Sequence, residues 1–139
     1  MSGSIRMNVA CVDPAEVHRI WPLASDLIRR AMTRMKLSEF ALVERDVLAG
    51  KALLWLGVAD RNVVAAAVTQ LELVDGEKYC TIVAYGGEGF DDWGDAIERL
   101  ETFGKAEGCK AMRIYGREGW ARVLPQYRRH AVILQKELG

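Results

Sequence analysis

The stretch from Leu53 to Tyr85 restricts the fold more than any other part of the chain. Leu53–Ala59 and Val63–Leu73 are apolar runs of strand length, separated by the turn cluster Asp60-Arg61-Asn62. The second half of the longer run alternates, with Thr69, Leu71 and Leu73 set against Gln70 and Glu72. Asp75-Gly76 is a hairpin dipeptide, and Tyr79–Tyr85 follows, apolar on both faces as a central strand would be. Three strands joined by tight turns make a meander. Gly86-Gly87-Glu88-Gly89-Phe90 then breaks the chain before a helical pattern from Asp92 to Glu107, with Trp93, Ile97, Leu100 and Phe103 on one face. Glu101 and Lys105 are spaced to pair along that helix, and Gly108 ends it. Lys110–Tyr115 is the next strand, and the helical crossover lets it lie parallel to Tyr79–Tyr85.

The ends complete the pattern. Met7–Val12 reads as a short strand, and Asp13-Pro14-Ala15-Glu16 as a helix start with Asp13 as cap, Pro14 in the first turn and Glu16 closing a capping box. Val17, Ile20, Ala24, Leu27, Ile28 and Ala31 form one apolar face, while Pro22 predicts a kink or a division into two helices. A second helix runs from Glu39 to Ala49, with Phe40, Val43 and Val47 on one face. A short helix at Trp120–Leu124 stops at Pro125, and Ala131–Leu138 is the last strand. The fold expected is a single α/β domain over residues 1–139, with a mixed, mostly antiparallel six-stranded sheet and helices on both faces. Met1–Arg6 reads as a short flexible tail.

Composition excludes several classes. A chain of 139 residues buries enough surface to fold without a metal or disulfide. Nineteen basic and nineteen acidic residues give no net charge, which argues against a general polyanion binder, so no nucleic acid is expected. No apolar run approaches the roughly 18 residues of a membrane span. Cys11, Cys80 and Cys109 lie far apart without ligand spacing, and His18 and His130 stand in unrelated contexts, so no metal site is expected. Unpaired, mostly buried thiols point to a reducing, cytoplasmic location.

The order of strand, two helices, three meandering strands, helix, strand, short helix and strand resembles the GNAT superfamily of N-acetyltransferases over nearly the whole chain. Glu107-Gly108-Cys109 leading into Met112-Arg113-Ile114-Tyr115 is similar to that family's step from helix to strand. The resemblance implies that the central strand splays from its parallel neighbour and that acetyl-CoA lies in the gap. It also implies a pyrophosphate on a glycine-rich turn at a helix start, where free amide protons attract anions. Tyr85, Gly86, Gly87 and Gly89 match that position as cofactor-binding residues. Only Gly89 matches the family's spaced glycine pattern, and Glu88, Asp91 and Asp92 crowd the turn, either capping the helix or opposing phosphate. The family's proton-donating tyrosine follows the short helix. Here Pro125 stands in its place, and Tyr127 is the nearest substitute, with Tyr115 a weaker candidate. Glu72, the one acid within the meander's strands, reads as part of a solvated face.

Two readings of function follow. One is an acetyl-CoA-dependent N-acyltransferase acting on a small-molecule or peptide amine that enters beside the first two helices. The other is a non-catalytic binding or assembly protein of the same fold. Arg117, Trp120 and Arg122, within a segment dense in glycine, arginine and aromatics, form either a recognition surface or a tight turn with inward packing. That segment resembles a pattern in small GNAT-like proteins of phages and prophages. Charge divides along the chain, nine acids against two bases from Glu72 to Glu101 and seven bases against two acids from Lys105 to His130. Such a division suits either a mixed solvated surface or a homo-oligomer in which opposite patches meet.

Overall fold

The computed structural model describes residues 7–87, 93–116 and 120–139. Strand β1 (Asn8–Cys11) leads through a 3₁₀ turn (Pro14–Glu16) into helices α1 (Val17–Met35) and α2 (Phe40–Leu48). Strands β2 (Leu53–Ala59), β3 (Asn62–Val74) and β4 (Glu77–Gly87) follow, then α3 (Trp93–Ala106), β5 (Ala111–Ile114) and α4 (Trp120–Val123). The sheet order is β1-β2-β3-β4-β5. Neighbours are antiparallel except β4 and β5, which run parallel as the α3 crossover requires.

Both hairpin turns take two residues with positive φ. These are Asp60 (48°) and Arg61 (64°) between β2 and β3, and Asp75 (51°) and Gly76 (79°) between β3 and β4. That backbone matches the right-handed twist of the strands, and it fixes a register in which Ala59 faces Asn62 and Val74 faces Glu77.

Asp13 accepts a hydrogen bond from the Ala15 amide at 2.9 Å. Glu16 does not complete a capping box; it pairs with Arg19 at 2.9 Å, one turn along α1. Nor does Pro22 divide the helix, since α1 is continuous from Val17 to Met35. Pro22 and His18 both lie on its exposed face, where water can satisfy the carbonyl that a proline leaves unbonded. The buried face is Val17, Trp21, Ala24, Ile28 and Met32. Trp21 and Met32 extend the expected stripe, and Ile20 and Leu27 flank it half-buried. Trp21 ties α1 to α2 by stacking on Phe40 and by donating its Nε1 proton to Glu44 at 2.7 Å.

Two apolar layers sandwich the sheet. On one side Ala24, Ile28, Val43 and Val47 of the first two helices meet Leu54, Ala66, Val68 and Ala84. On the other, Ile97 and Leu100 of α3 meet Trp55, Ala67 and Ile82, with Leu124 below α4. The side chain of Trp93 lies outside the described set. The consecutive alanines Ala65, Ala66 and Ala67 keep β3 thin enough for helices to approach from both faces.

One expected strand is not formed. Five strands, not six, make up the described sheet, and residues 131–138 carry no strand. Val132, Ile133, Leu134 and Leu138 are 62–93% exposed. A run of consecutive apolar residues has no polar face to turn outward, so it needs cover on both sides, and β5 offers only four residues for pairing. No helix among the described residues is long and apolar enough to cross a membrane.

Candidate active site

The site is built on an irregularity in β4. In the β3–β4 ladder Val68 faces Ala84 and Thr69 faces Ile82, so Val83 is an extra residue, a β-bulge. The parallel pairing of β4 with β5 stops at the same place. It runs from Tyr79–Ala111 to Ile82–Ile114, closed by the Tyr115 amide donating to the Ile82 carbonyl at 3.1 Å. Among the described residues the β4–β5 ladder does not extend past Ile82 and Ile114. The two parallel strands therefore part after Ile82 and Ile114, at the level of Val83 and Tyr115.

The glycines at the end of β4 have packing reasons of their own. A Cβ on Gly86 would run into the backbone carbonyl of Leu27, so its absence lets α1 lie directly against the strand. Gly87 has φ of 143°, and a Cβ there would strike Ala65 and the Val64 carbonyl of β3. Gly89, Glu88, Asp91, Asp92 and Arg117 lie outside the described residues.

Tyr85 and Tyr127 both sit in the layer under α3. Tyr85 meets the Trp120 ring edge to face at 5.5 Å, and Gly116 leaves the room in which that indole lies. Trp120 thus packs inward, half-buried, whereas Arg122 on α4 is exposed. Tyr127 donates its hydroxyl proton to Glu101 at 2.7 Å, and among the ion pairs of the described residues there is none between Glu101 and Lys105. Burial pushes the Tyr85 hydroxyl well above the usual tyrosine range. Burial first, then the Glu101 carboxylate, does the same to Tyr127. Both phenols stay protonated at neutral pH.

On the opposite face of the sheet, beside the point of separation, lies a cleft of about 360 Å³. Leu37 and Ser38 of the α1–α2 connection, Leu42 and Asp46 of α2, Gln70 of β3, and the diverging pair Val83 and Tyr115 line it. Asp46 accepts a hydrogen bond from the Gln70 amide at 3.1 Å and pairs with the exposed Arg45 at 3.3 Å. Thr81, opposite Gln70 in the β3–β4 ladder, is fully buried, and its hydroxyl has no partner among the described residues.

Sequence reasoning singled out Tyr85, Gly86, Gly87, Trp120 and Tyr127, and these gather at the end of β4 and under α3. It gave no role to Asp46 and Gln70, which flank the cleft; Glu72, read as part of a solvated face, does not line it. One signal was available: Asp46 lies three residues from Val43 on the edge of the apolar stripe of α2.

No family model matches the sequence, and no curated protein matches it in sequence. Solved structures do match in shape. A probable acetyltransferase superposes with a TM-score of 0.68 at 9% identity, covering 96% of this chain and 97% of that one. A predicted acetyltransferase from Clostridium acetobutylicum, solved with acetyl-CoA, gives a TM-score of 0.63 at 10% identity, with 96% of each chain covered. An aminoglycoside acetyltransferase from an uncultured soil metagenomic sample, solved with sisomicin, gives 0.64 at 10% identity and covers 96% of this chain and 97% of that one. With a mixed sheet, a bulged central strand that parts from its parallel neighbour, and near-complete overlap with these acetyltransferases, the chain has the GNAT fold.

Proposed function

We propose that the protein is an acyl-CoA-dependent N-acyltransferase. The observation that carries this reading is the separation of β4 from β5 at the Val83 bulge, with an apolar cleft opening beside it. The place where the β4–β5 ladder ends would suit the amide-bearing arm of a coenzyme A thioester, which would lie between the parting strands and bond to backbone as a neighbouring strand does. When bound, that group supplies an acetyl carbon on a thioester. The chain supplies position. The amides of Gly86, Gly87 and Gly89 would hold the cofactor, and the cleft beside α1 and α2 would present an amine to the gap. Tyr127, protonated at neutral pH, would return a proton to the departing sulfur on the α3 side. For a neutral amine the net change forms one C–N and one S–H bond and breaks one C–S and one N–H bond, the amine's proton replacing the one that Tyr127 gives up.

Thermal unfolding with and without acetyl-CoA tests the reading. Ligand at 100 times its dissociation constant adds about 2.7 kcal/mol. At roughly 2–8 °C per kcal/mol, the midpoint rises by several degrees. Gly89→Glu, placed in the turn, abolishes the rise if that turn holds the cofactor. No rise at millimolar acetyl-CoA would remove the cofactor from the account.

One observation favours a second reading, a non-catalytic assembly protein. Val132, Ile133, Leu134 and Leu138 are apolar and exposed, and β5 ends the described sheet with one neighbour. The same segment of a second copy would then pair with that edge. Light scattering decides it: a dimer that becomes monomeric when 131–139 are deleted supports assembly, and a monomer at all concentrations contradicts it.

A further inference from the structure

We infer that the cleft selects a singly charged amine with an apolar body, and that Asp46 is the residue that anchors its ammonium group. The inference rests on the acyltransferase reading only in calling this ligand an acceptor, whose ammonium would give one proton to solvent before its neutral nitrogen attacks the thioester; the selectivity itself is read from the cleft.

Charge decides the first half. Asp46 is the only charged side chain lining the cleft among the described residues. Its carboxylate is partly withdrawn from water, with 20% of the side chain exposed. One oxygen takes the Gln70 amide at 3.1 Å, and the other takes Arg45 through two contacts of 3.3 Å. A carboxylate has about four acceptor positions, so room remains for an ammonium donor. Arg45 is exposed, and an exposed pair of this kind holds its partner weakly. Gln70, fixed in β3, aims the carboxylate.

The walls decide the second half. Leu37, Leu42, Val43, Val83 and Ile133 present hydrocarbon, and Leu37, Leu42 and Ile133 are exposed enough to gain from being covered. Tyr115, at the mouth, adds an aromatic ring. A second or third ammonium on the same ligand would meet these walls with no described carboxylate to pair with, and burying an unpaired charge is costly. Polycationic amines are therefore disfavoured, although the aminoglycoside acetyltransferase that shares the fold was solved with sisomicin.

The test is calorimetric binding to the full-length chain, with 2-phenylethylamine as probe, 2-phenylethanol as its uncharged counterpart and spermidine as a polycation. We expect 2-phenylethylamine to bind at least about 10-fold more tightly than 2-phenylethanol, since a charge-assisted bond to Asp46 is at stake. Asp46→Asn removes that preference while thermal unfolding shows the chain still folds. Leu42→Ser, on an exposed wall position, weakens both phenyl ligands alike and leaves their ratio unchanged. No measurable 2-phenylethylamine binding, equal binding to Asp46→Asn and wild type, or tighter binding of spermidine would each overturn the assignment. Acetyl-CoA is titrated in parallel. If it fails to bind while the amine pattern holds, the acyltransferase reading falls and the cleft assignment stands. If it binds while the amine pattern is absent, the reverse is true.

Discussion

Replacing Gly86 by alanine separates two roles that glycine could serve at the end of β4. Its φ is not in the left-handed region, so the substitution adds a methyl group without backbone strain. That methyl would overlap the Leu27 carbonyl oxygen, lie 2.6 Å from the carbonyl carbon and sit 3.4 Å from the Ala31 methyl. The obstacle is helix backbone, which has no rotamer to change, so α1 must move away from the sheet. Overpacking of this kind costs about 1–3 kcal/mol, and a backbone obstacle places the cost near 3 kcal/mol. At about 4 °C per kcal/mol for a chain of this length, the melting midpoint falls by roughly 12 °C. Gly50→Ala serves as control: its φ is 78° with open space around it, so only the left-handed backbone is penalised, at about 1 kcal/mol. Differential scanning calorimetry on the three proteins reads both effects. A Gly86→Ala midpoint within 2 °C of wild type, using the same roughly 4 °C scale, would refute the close seating of α1. Were acetyl-CoA affinity to fall in that unaltered protein, Gly86 would belong to the ligand rather than to the core.

Two further outcomes follow from the tyrosines. Tyr127→Phe leaves the half-buried Glu101 carboxylate without its 2.7 Å donor and should cost about 1–3 kcal/mol in chemical denaturation, with Glu101→Gln milder because an amide still accepts the bond. Alkaline pH should also destabilise the fold. The Tyr85 and Tyr127 hydroxyls and the Cys80 thiol (pushed up to about 11, chiefly by burial) all hold their protons longer when folded than when unfolded. The native state then binds more protons than the unfolded state above their ordinary values, so stability falls as pH rises past about 9 for the thiol and about 10 for the phenols. Absorbance at 295 nm checks this: the phenolate signal of these two tyrosines should rise together with unfolding, and a rise that precedes unfolding would contradict it.

Where local chemistry decided the structure, the sequence was readable. The turns at Asp60-Arg61 and Asp75-Gly76 fix the meander, and the stripe of Ile97 and Leu100 fixes the helix that makes β5 parallel. Features set by distant partners were not readable. The bulge at Val83 exists only relative to β3, and nothing within β4 marks it. Nothing in the sequence around Gly86 shows that the Leu27 carbonyl lies against it. Glu101 was assigned to Lys105 by helical spacing, but Tyr127 reaches it from a segment 26 residues away. Asp46 and Gln70 meet across 24 residues, which is why the candidate acceptor cleft was invisible in one dimension. The expected last strand failed for a related reason: strand propensity in 131–138 cannot substitute for a paired edge.

The proposed function puts a coenzyme A thioester beside β4 where that strand leaves β5. Amide chemical-shift mapping during titration with acetyl-CoA tests it most directly. The largest shifts should fall on Val83 to Gly87 and on Tyr115, with Lys78 to Thr81, on the paired side of the ladder, nearly unmoved. Shifts concentrated elsewhere, or none at saturating ligand, would contradict it.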